Sequence, residues 1–460
     1  HQGGRLSVRA LVHGLAITGA STVKALQRHG YAVVATDDTI DAGRLERASG
    51  LGIELTRIPA DVSSFVAKFD FISPAPGVPE QHPLIRAALA AEVPLVSEIE
   101  LAYRWEQQRS GGPRPILAIT GTDGKTTTTE LTVAILRAAG VRTEALGNTD
   151  VPLVDALDAD LDALVVECTS FRLAWTAHFR ADAAVWLNLA PDHLNWHASM
   201  DTYEAAKARI FELQSPNDTA IGFVDDPIVM RHLSAAPGRQ RTFGLSGADY
   251  HLDGTTLLGP SGKIADTAVM RRCLPHDITN ALAASALVLE TGLAGPEAIA
   301  AALSTFEAPA HRLESVGSAA GVEWFNDSKA TTPHAAATAI RGFDSLVLIA
   351  GGSRKGVDLS PMAAEPHRIR AVIAIGEAAP DIHAVFDHLT DVVDADSMAH
   401  AVESAAARAH HGDAVVLSPG CASFDWYGGY PERGDDFRRL VHTHLADVIA
   451  TTTSGMETTT

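Results

Sequence analysis

Long apolar runs are missing from this 460-residue chain: the best candidate, residues 281–289, spans nine positions before Glu290 with Ser285 among them, against the ~18 that a membrane span requires. No membrane partner is expected. Cysteine is scarce as well. Cys168, Cys273 and Cys421 are odd in number and far apart, which excludes a disulfide framework and offers no metal spacing, so a reducing, cytoplasmic compartment is expected. Positive charge is in deficit, with 36 basic against 56 acidic residues and a net charge of −20. That balance argues against nucleic acid as the main partner. Only seven of the 36 basic residues are lysine, so a lysine inside a motif is informative. Disorder is excluded by 46% hydrophobic and 20% charged residues and a mean hydropathy of +0.07. The opening, with Arg5 and Arg9 ahead of apolar residues 10–20, has the charge order of a signal peptide, but His13 interrupts it. It reads instead as a strand and a phosphate-type turn, and His1 in place of Met reads as a processed or engineered end.

The length exceeds the ~250–300 residues at which single cores stop growing, so two or three domains are expected. Strand-like segments at 9–13, 31–36, 69–73 and 93–96 are separated by helical stretches, the first at 21–29, which predicts a parallel sheet. Residues 109–115 form a turn-rich linker. A second α/β unit opens with a strand at 116–120, continues with one at 163–166, and closes with a helix over 278–289. After a break at 308–310, strands at 345–350, 371–375 and 414–417 predict a third α/β unit. The tail from Thr451, with six threonines in ten residues, is expected to be disordered.

Strand 116–120 runs into Gly121-Thr122-Asp123-Gly124-Lys125-Thr126, and a helical pattern follows to Ala138. Backbone N–H groups at a helix N-terminus attract phosphate, lysine reaches the outer phosphates, and the hydroxyl can hold Mg²⁺. The pattern is a shortened Walker loop, with Ile119 where the full form has glycine. It predicts an ATP site. The first turn, His13-Gly14-Leu15-Ala16-Ile17-Thr18-Gly19, lacks the second glycine of a dinucleotide fingerprint, while Asp37 and Asp38 end the next strand, where an acid meets a ribose or base. A nucleotide-like ligand fits there better than dinucleotide redox chemistry.

Three further elements carry chemistry. Glu167 leaves the C-terminal end of strand 163–166, where ligands gather and a carboxylate suits Mg²⁺. The exit loop of a strand at 185–189 carries Asp192 and His193. In the helix predicted over 202–212, Lys207 shares the apolar stripe of Tyr203, Ala206, Ile210 and Phe211. A snorkelling lysine explains that position less well than chemistry does, given the phosphate loop upstream.

Together these motifs resemble those of the muramyl-peptide (Mur) ligases, ATP-dependent amide ligases of peptidoglycan precursor synthesis. The loop matches G-T-x-G-K-T with Asp123 where asparagine is commoner, and the central helix reads Tyr203-Glu204-Ala205-Ala206-Lys207. His276-Asp277-Ile278-Thr279-Asn280-Ala281 is similar to H-N-x-x-N-A, with Asp277 for the first asparagine. His311-Arg312-Leu313-Glu314 matches H-R-x-E. Three more stretches, at 326–331, 418–423 and 433–437, and the G-x-x-x-T-G form of the first turn resemble the members that act on D-glutamate.

The resemblance implies an α/β fold of three domains. These are an N-terminal Rossmann-like UDP-substrate domain (1–112), a central P-loop ATPase-like domain (113–309) and a C-terminal Rossmann-like amino-acid domain (310–450), followed by a tail at 451–460. It implies a cytoplasmic monomer that takes ATP, UDP-N-acetylmuramoyl-L-alanine and D-glutamate, with two Mg²⁺ ions and a CO₂-derived carbamate on Lys207. By position, Lys125, Asn148, Glu167, His193 and Lys207 are the catalytic set, and Thr126, Glu167, His193 and Lys207 hold metal. Gly121 to Thr127, Asn280, Arg312, Asp327 and Lys329 would bind ATP. Ile17, Thr18, Asp37, Asp38, Ala75, Pro76, Gly77, Asn148, Thr169 and Ser170 would meet the UDP substrate. Thr331, Lys355, Ser423, Phe424 and Tyr430 would meet D-glutamate, and His197, four residues beyond His193, is not expected to be a ligand.

Three competing readings fit less well. A folylpolyglutamate-synthase-like ligase does not normally carry the extra first domain. An NAD-dependent dehydrogenase is opposed by the missing glycine and the ATP loop. A non-enzymatic, ATP-regulated interaction protein leaves Glu167, His193 and Lys207 unexplained.

Overall fold

Strands Ile116–Thr120, Leu164–Glu167, Ala183–Trp186 and Leu346–Gly351 are buried along their whole length, as strands covered on both faces must be. The computed structural model describes residues 8–354 and 356–457, and Lys355 lies outside the described residues. The chain is a mixed α/β protein of two compact units. One runs up to Arg271 and resumes over Ile278–Phe306, while the other comprises Arg272–Asp277 and the chain from Glu307 onward.

The first unit holds a four-stranded parallel sheet in the order Leu55–Thr56, Ala32–Thr36, Arg9–His13, Phe71–Pro74. The strand expected at 93–96 reduces to a bridge between Leu95 and Ile72. Pro94 accepts from the Ile72 N–H but has no N–H to return, so the ladder stops there. The helix expected from Ser21 starts four residues earlier, over Ile17–Arg28. A Cβ on Gly19 would lie 1.8 Å from the Gly14 carbonyl oxygen, so only glycine lets this helix approach the strand exit so closely.

The same unit holds a six-stranded parallel sheet in the order Arg239–Phe243, Thr219–Phe223, Ala183–Trp186, Ile116–Thr120, Leu164–Glu167, Ala145–Gly147. Three of these strands went unforeseen: Thr219–Phe223, Arg239–Phe243 and Ala145–Gly147. So did the three-stranded antiparallel sheet of His251–Asp253, Thr256–Gly259 and Gly262–Asp266. Their sequences, three to five residues each, are too short to carry a hydrophobic periodicity.

The second unit has a six-stranded sheet in the order Glu314–Ala319, Val322–Asn326, Ala414–Gly420, Leu346–Gly351, Ile369–Ile375, Asp391–Ala395. The first two strands form an antiparallel hairpin and the rest are parallel. The final helix, Tyr430–Glu457, continues past Thr451, where a disordered tail was expected. Residues 272–277 also depart from expectation, since they belong with the second unit and not with the stretch that precedes them. Among the described residues, no helix is long and apolar enough to cross a membrane.

Candidate functional site

Three strands of the six-stranded sheet deliver the phosphate loop, Glu167 and the His193 loop to one edge, the C-terminal ends where parallel sheets bind ligands. Ile116–Thr120 ends at Gly121, and the helix Lys125–Ala138 begins four residues later. The loop is held from below. Asn188 Oδ1 accepts from the backbone N–H groups of Thr122 and Asp123, both at 2.9 Å, and the Thr122 hydroxyl meets the Tyr203 hydroxyl at 3.0 Å. Lys125 curls back to donate to the carbonyls of Gly121 and Thr122 at 3.0 and 2.8 Å. Thr126 and the buried Thr127 form the first turn of the helix. Asn280, on the helix Pro275–Glu290, accepts from Thr128 Oγ1 at 3.2 Å and packs against Gly124.

Glu167 is the last residue of its strand and is 1% exposed. Its Oε1 accepts from Asn148 Nδ2 at 2.8 Å, while its buried Oε2 has no partner among the described residues. A buried carboxylate oxygen without a donor is costly unless a cation satisfies it. The Glu167 position therefore fits Mg²⁺, whose preference is for such oxygens. Gly147 permits the pairing with Asn148, because a Cβ there would stand 2.6 Å from the Glu167 carbonyl oxygen.

Lys207 lies on the helix Met200–Glu212 with Tyr203, Ala206, Ile210 and Phe211, all buried. It is 1% exposed, donates to the Gly121 carbonyl at 2.5 Å, and sits 4.8 Å from the centre of the Tyr203 ring. Burial, seconded by the Lys125 ammonium, drives its pKa well below the ordinary lysine range against the pull of Asp192, Asp123 and Glu167. His193 has a left-handed backbone, φ 56°, uncommon outside glycine. Burial lowers its pKa to about 4, with Lys125 and Lys207 adding to the effect and Asp192 opposing it, so its imidazole is neutral at pH 7. His197 is occupied at both nitrogens, by Glu80 and by Ser170 Oγ, each at 2.9 Å. Thr169 is buried beside Ser170 as the residue before the short helix Ser170–Leu173.

The other nucleotide-type turn is built around Asp37. Its carboxylate accepts from the Leu15 N–H at 2.6 Å, the Thr39 N–H at 2.9 Å and Arg44 Nε at 2.9 Å. This organises the turn that presents the exposed Ile17 and the half-buried Thr18. Asp38 is exposed and accepts from His82 Nε2 at 2.9 Å, with His13 Nε2 at 3.7 Å. The Leu84 N–H donates to His82 Nδ1, which keeps the ring proton on Nε2, so this trio reads as a hydrogen-bonded cluster. Ala75, Pro76 and Gly77 follow the strand Phe71–Pro74 on the same edge, and Pro76 accepts from Trp196 Nε1 at 2.8 Å.

In the second unit, Arg312 lies between His311 and Leu313, both left-handed at φ 63° and 46°. Non-glycine residues held there cost about 1–3 kcal/mol each, a cost that clusters at functional sites. Asp327 accepts from Ser418 Oγ at 2.7 Å and the Leu313 N–H at 3.1 Å, and burial pushes its carboxyl up to about 7. Lys329 Nζ lies 5.1 Å from the centre of the Tyr430 ring, Thr331 is half-buried two residues on, Ser423 is buried and Phe424 is 73% exposed. Arg433, fully buried, donates to the carbonyls of Ser328, Cys421 and Ala422, so it ties the 326–331 and 418–423 stretches together. Asp277, which stands where the family motif has asparagine, has its carboxylate taken by Arg272 at 2.6 and 2.7 Å, inside the second unit.

Two residues of this geometry were missed in the sequence. Asn188 holds the phosphate loop, and Arg172 donates to Asn148 Oδ1 at 2.8 Å. Asn188 had a signal, since it follows a strand that ends on the same edge as Glu167.

A model of the Mur ligase middle domain matches residues 119–288, and one of the Mur ligase, glutamate ligase domain matches residues 311–421. A UDP-N-acetylmuramoylalanine–D-glutamate ligase of Frankia casuarinae is 41% identical over 452 residues, covering 94% of this chain and 93% of its own. That of Geobacter metallireducens is 37% identical over 444 residues, covering 94% and 96%. Among solved structures, the MurF ligase of Thermotoga maritima in complex with ADP aligns with a TM-score of 0.58 at 15% identity, over 96% of each chain.

Proposed function

Because this chain belongs to the Mur ligase family, we propose that it joins D-glutamate to UDP-N-acetylmuramoyl-L-alanine at the expense of ATP. The observation that carries this reading is the convergence of a phosphate loop, an unpartnered buried carboxylate oxygen on Glu167 and a buried Lys207 at one sheet edge. In the reaction, an oxygen of the terminal alanine carboxylate takes the γ-phosphoryl group from ATP, releasing ADP and leaving an acyl phosphate. The free amine of D-glutamate attacks that carbonyl carbon, and phosphate departs with formation of the amide. Both steps bring anions together, so they need cations and fixed attack geometry.

The chain supplies both. Lys125 stands over the loop where the β- and γ-phosphates would lie, and its ammonium stabilises charge on the transferring group. Thr126, Glu167, His193 and Lys207 are the residues that would hold Mg²⁺. Asn148, fixed by Glu167, orients the substrate carboxylate. Asp37 shapes the turn for the uridine-diphosphate end, with Thr18, Asp38 and the Ala75-Pro76-Gly77 loop beside it. We assign Asn280, Arg312, Asp327 and Lys329 to ATP, and Thr331, Lys355, Ser423, Phe424 and Tyr430 to D-glutamate. In this reading residues 1–112 bind the UDP-sugar, residues 113–309 apart from 272–277 bind ATP, and residues 310–450 bind the amino acid.

Mg²⁺, where bound, would neutralise phosphate charge and align the oxygens of donor and acceptor. The depressed pKa of Lys207 favours the neutral amine, the form that combines with CO₂, and a carbamate so formed would offer Mg²⁺ an anionic oxygen. The experiment is phosphate release from ATP. It should require UDP-N-acetylmuramoyl-L-alanine and D-glutamate together, and L-glutamate should not replace the D isomer. Release that runs without the nucleotide substrate, or with folate and L-glutamate, refutes the reading.

A further inference from the structure

Glu98 and Arg172 form a buried ion pair that none of the roles above accounts for. They are 3% and 4% exposed, and Arg172 Nε faces Glu98 Oε2 at 3.5 Å, neither atom having another partner among the described residues. Glu98 opens the helix Glu98–Glu106, and its other oxygen accepts from the Val154 N–H at 2.9 Å. Burial raises the Glu98 carboxyl pKa, and Arg172 is the charge that opposes that rise. A buried pair of this kind adds little stability over an apolar pair of the same volume, so its presence points to use elsewhere.

The use lies at the other end of the guanidinium. Nη1 donates to Asn148 Oδ1 at 2.8 Å and Nη2 to Thr18 Oγ1 at 3.3 Å. Thr18 belongs to the first turn of the helix Ile17–Arg28 beside the four-stranded sheet, and Asn148 to the edge of the six-stranded sheet, where its amide also holds Glu167. One cation thus joins the nucleotide-type turn to the phosphoryl-transfer edge. A guanidinium has five N–H donors. Three point at Glu98, Asn148 and Thr18, and one hydrogen on each Nη is left for a ligand. Two parallel N–H groups on a planar fork match the oxygens of a phosphate.

We propose that Arg172, held by Glu98, is a specificity-determining residue that grips the diphosphate of a nucleoside-diphosphate sugar between Thr18 and Asn148. This rests on the ligase reading and deepens it, by assigning the anion-recognising cation of the nucleotide-sugar site. Arg172 discriminates diphosphate substrates from neutral sugars and sets the distance from that anchor to the reacting carboxylate.

Arg172→Gln alone strands the Glu98 carboxyl in the interior and can unfold the protein, so the test uses the double variant Glu98→Gln/Arg172→Gln. The amide oxygen that this variant carries at position 98 still accepts from the Val154 N–H, and no charge is buried. The expected result is a melting temperature near that of the wild type, a KM for UDP-N-acetylmuramoyl-L-alanine raised about tenfold or more, and KM values for ATP and D-glutamate within twofold. Calorimetry with UDP alone should show the same loss of affinity with no turnover involved. Arg172→Lys with Glu98 retained, which keeps the charge and loses the fork, should fall between the two. A double variant with wild-type KM and wild-type UDP affinity overturns the assignment, because Arg172 would then only neutralise Glu98. Equal increases in all three KM values overturn it as well. Wild-type phosphate release that ignores UDP-N-acetylmuramoyl-L-alanine sinks the ligase reading instead, and UDP calorimetry then still decides for or against Arg172.

Discussion

Asp37→Ala removes three hydrogen bonds at once, and burial ranks them. The Leu15 N–H is fully buried and bonds the carboxylate at 2.6 Å, so its loss strands a donor that water does not reach. A bond to a charged group contributes about 1.5–3 kcal/mol, and an unsatisfied buried donor costs a similar amount. Thr39 is exposed and rehydrates freely, and the Arg44 side chain is 26% exposed, which places that pair in the ~0–1 kcal/mol range of surface ion pairs. The Leu15 contact therefore dominates, at ~2 kcal/mol, or roughly thirty-fold in the opening equilibrium of the turn. Asp37→Asn keeps an acceptor oxygen and should lose only about fivefold, or ~1 kcal/mol. Amide hydrogen exchange over residues 8–20 reads this directly, and the KM for the UDP substrate should rise in the same order while that for ATP stays put. If Leu15 exchanges at the wild-type rate in Asp37→Ala, the carboxylate does not organise the turn and the reasoning fails.

Lys125→Ala should lower phosphate release by about a hundredfold or more while circular dichroism and melting stay unchanged, since its bonds are to its own loop; near-normal turnover would remove it from the phosphate site. Lys207→Ala should be inactive yet partly restored by millimolar short-chain carboxylates, whereas restoration by small amines alone would show that a positive charge mattered. Asp327 should make the second unit acid-preferring. Its folded carboxyl titrates near 7 against about 4 in an unfolded chain, so the folded state holds a proton that the unfolded one releases, and stability is full below about pH 4 and declines as pH rises to 7. Asp327→Asn should flatten that decline in thermal melts at about pH 4.5 to 8, and an unchanged pH slope would refute the assignment.

What the sequence made legible was what local chemistry dictates. The strand Ile116–Thr120 has the bounds expected and the helix Lys125–Ala138 the expected end, because β-branched residues, a glycine turn and a lysine–threonine start leave few alternatives. Lys207 stood out because a charge on an apolar stripe is expensive, and the structure buries it. Long-range partnerships were not legible. Glu98 and Arg172 are 74 residues apart, Thr18 and Arg172 are 154 apart, and nothing in a one-dimensional pattern pairs them. Asn188 lies in the stretch read as the strand 185–189, so its place at the sheet edge was legible but the loop that its side chain holds was not. The transfer of residues 272–277 to the second unit depends on Arg272 binding both Asp277 and the Leu313 carbonyl, a contact no periodicity announces.

The bond from Trp196 Nε1 to the Pro76 carbonyl gives the protein a built-in optical probe. Trp196 is 5% exposed, packs at a tilt against Phe171 and His197, and its own carbonyl accepts from the Glu80 N–H at 3.1 Å, so side chain and backbone are both tied to the 75–80 loop. Indole emission follows the polarity and hydrogen bonding around the ring. A ligand that settles against Ala75-Pro76-Gly77 shifts the acceptor on which this fluorophore rests, and the shift is visible without any label. Trp196→Phe subtracts the signal from that of the other five tryptophans, turning the emission difference into a real-time record of events at this loop.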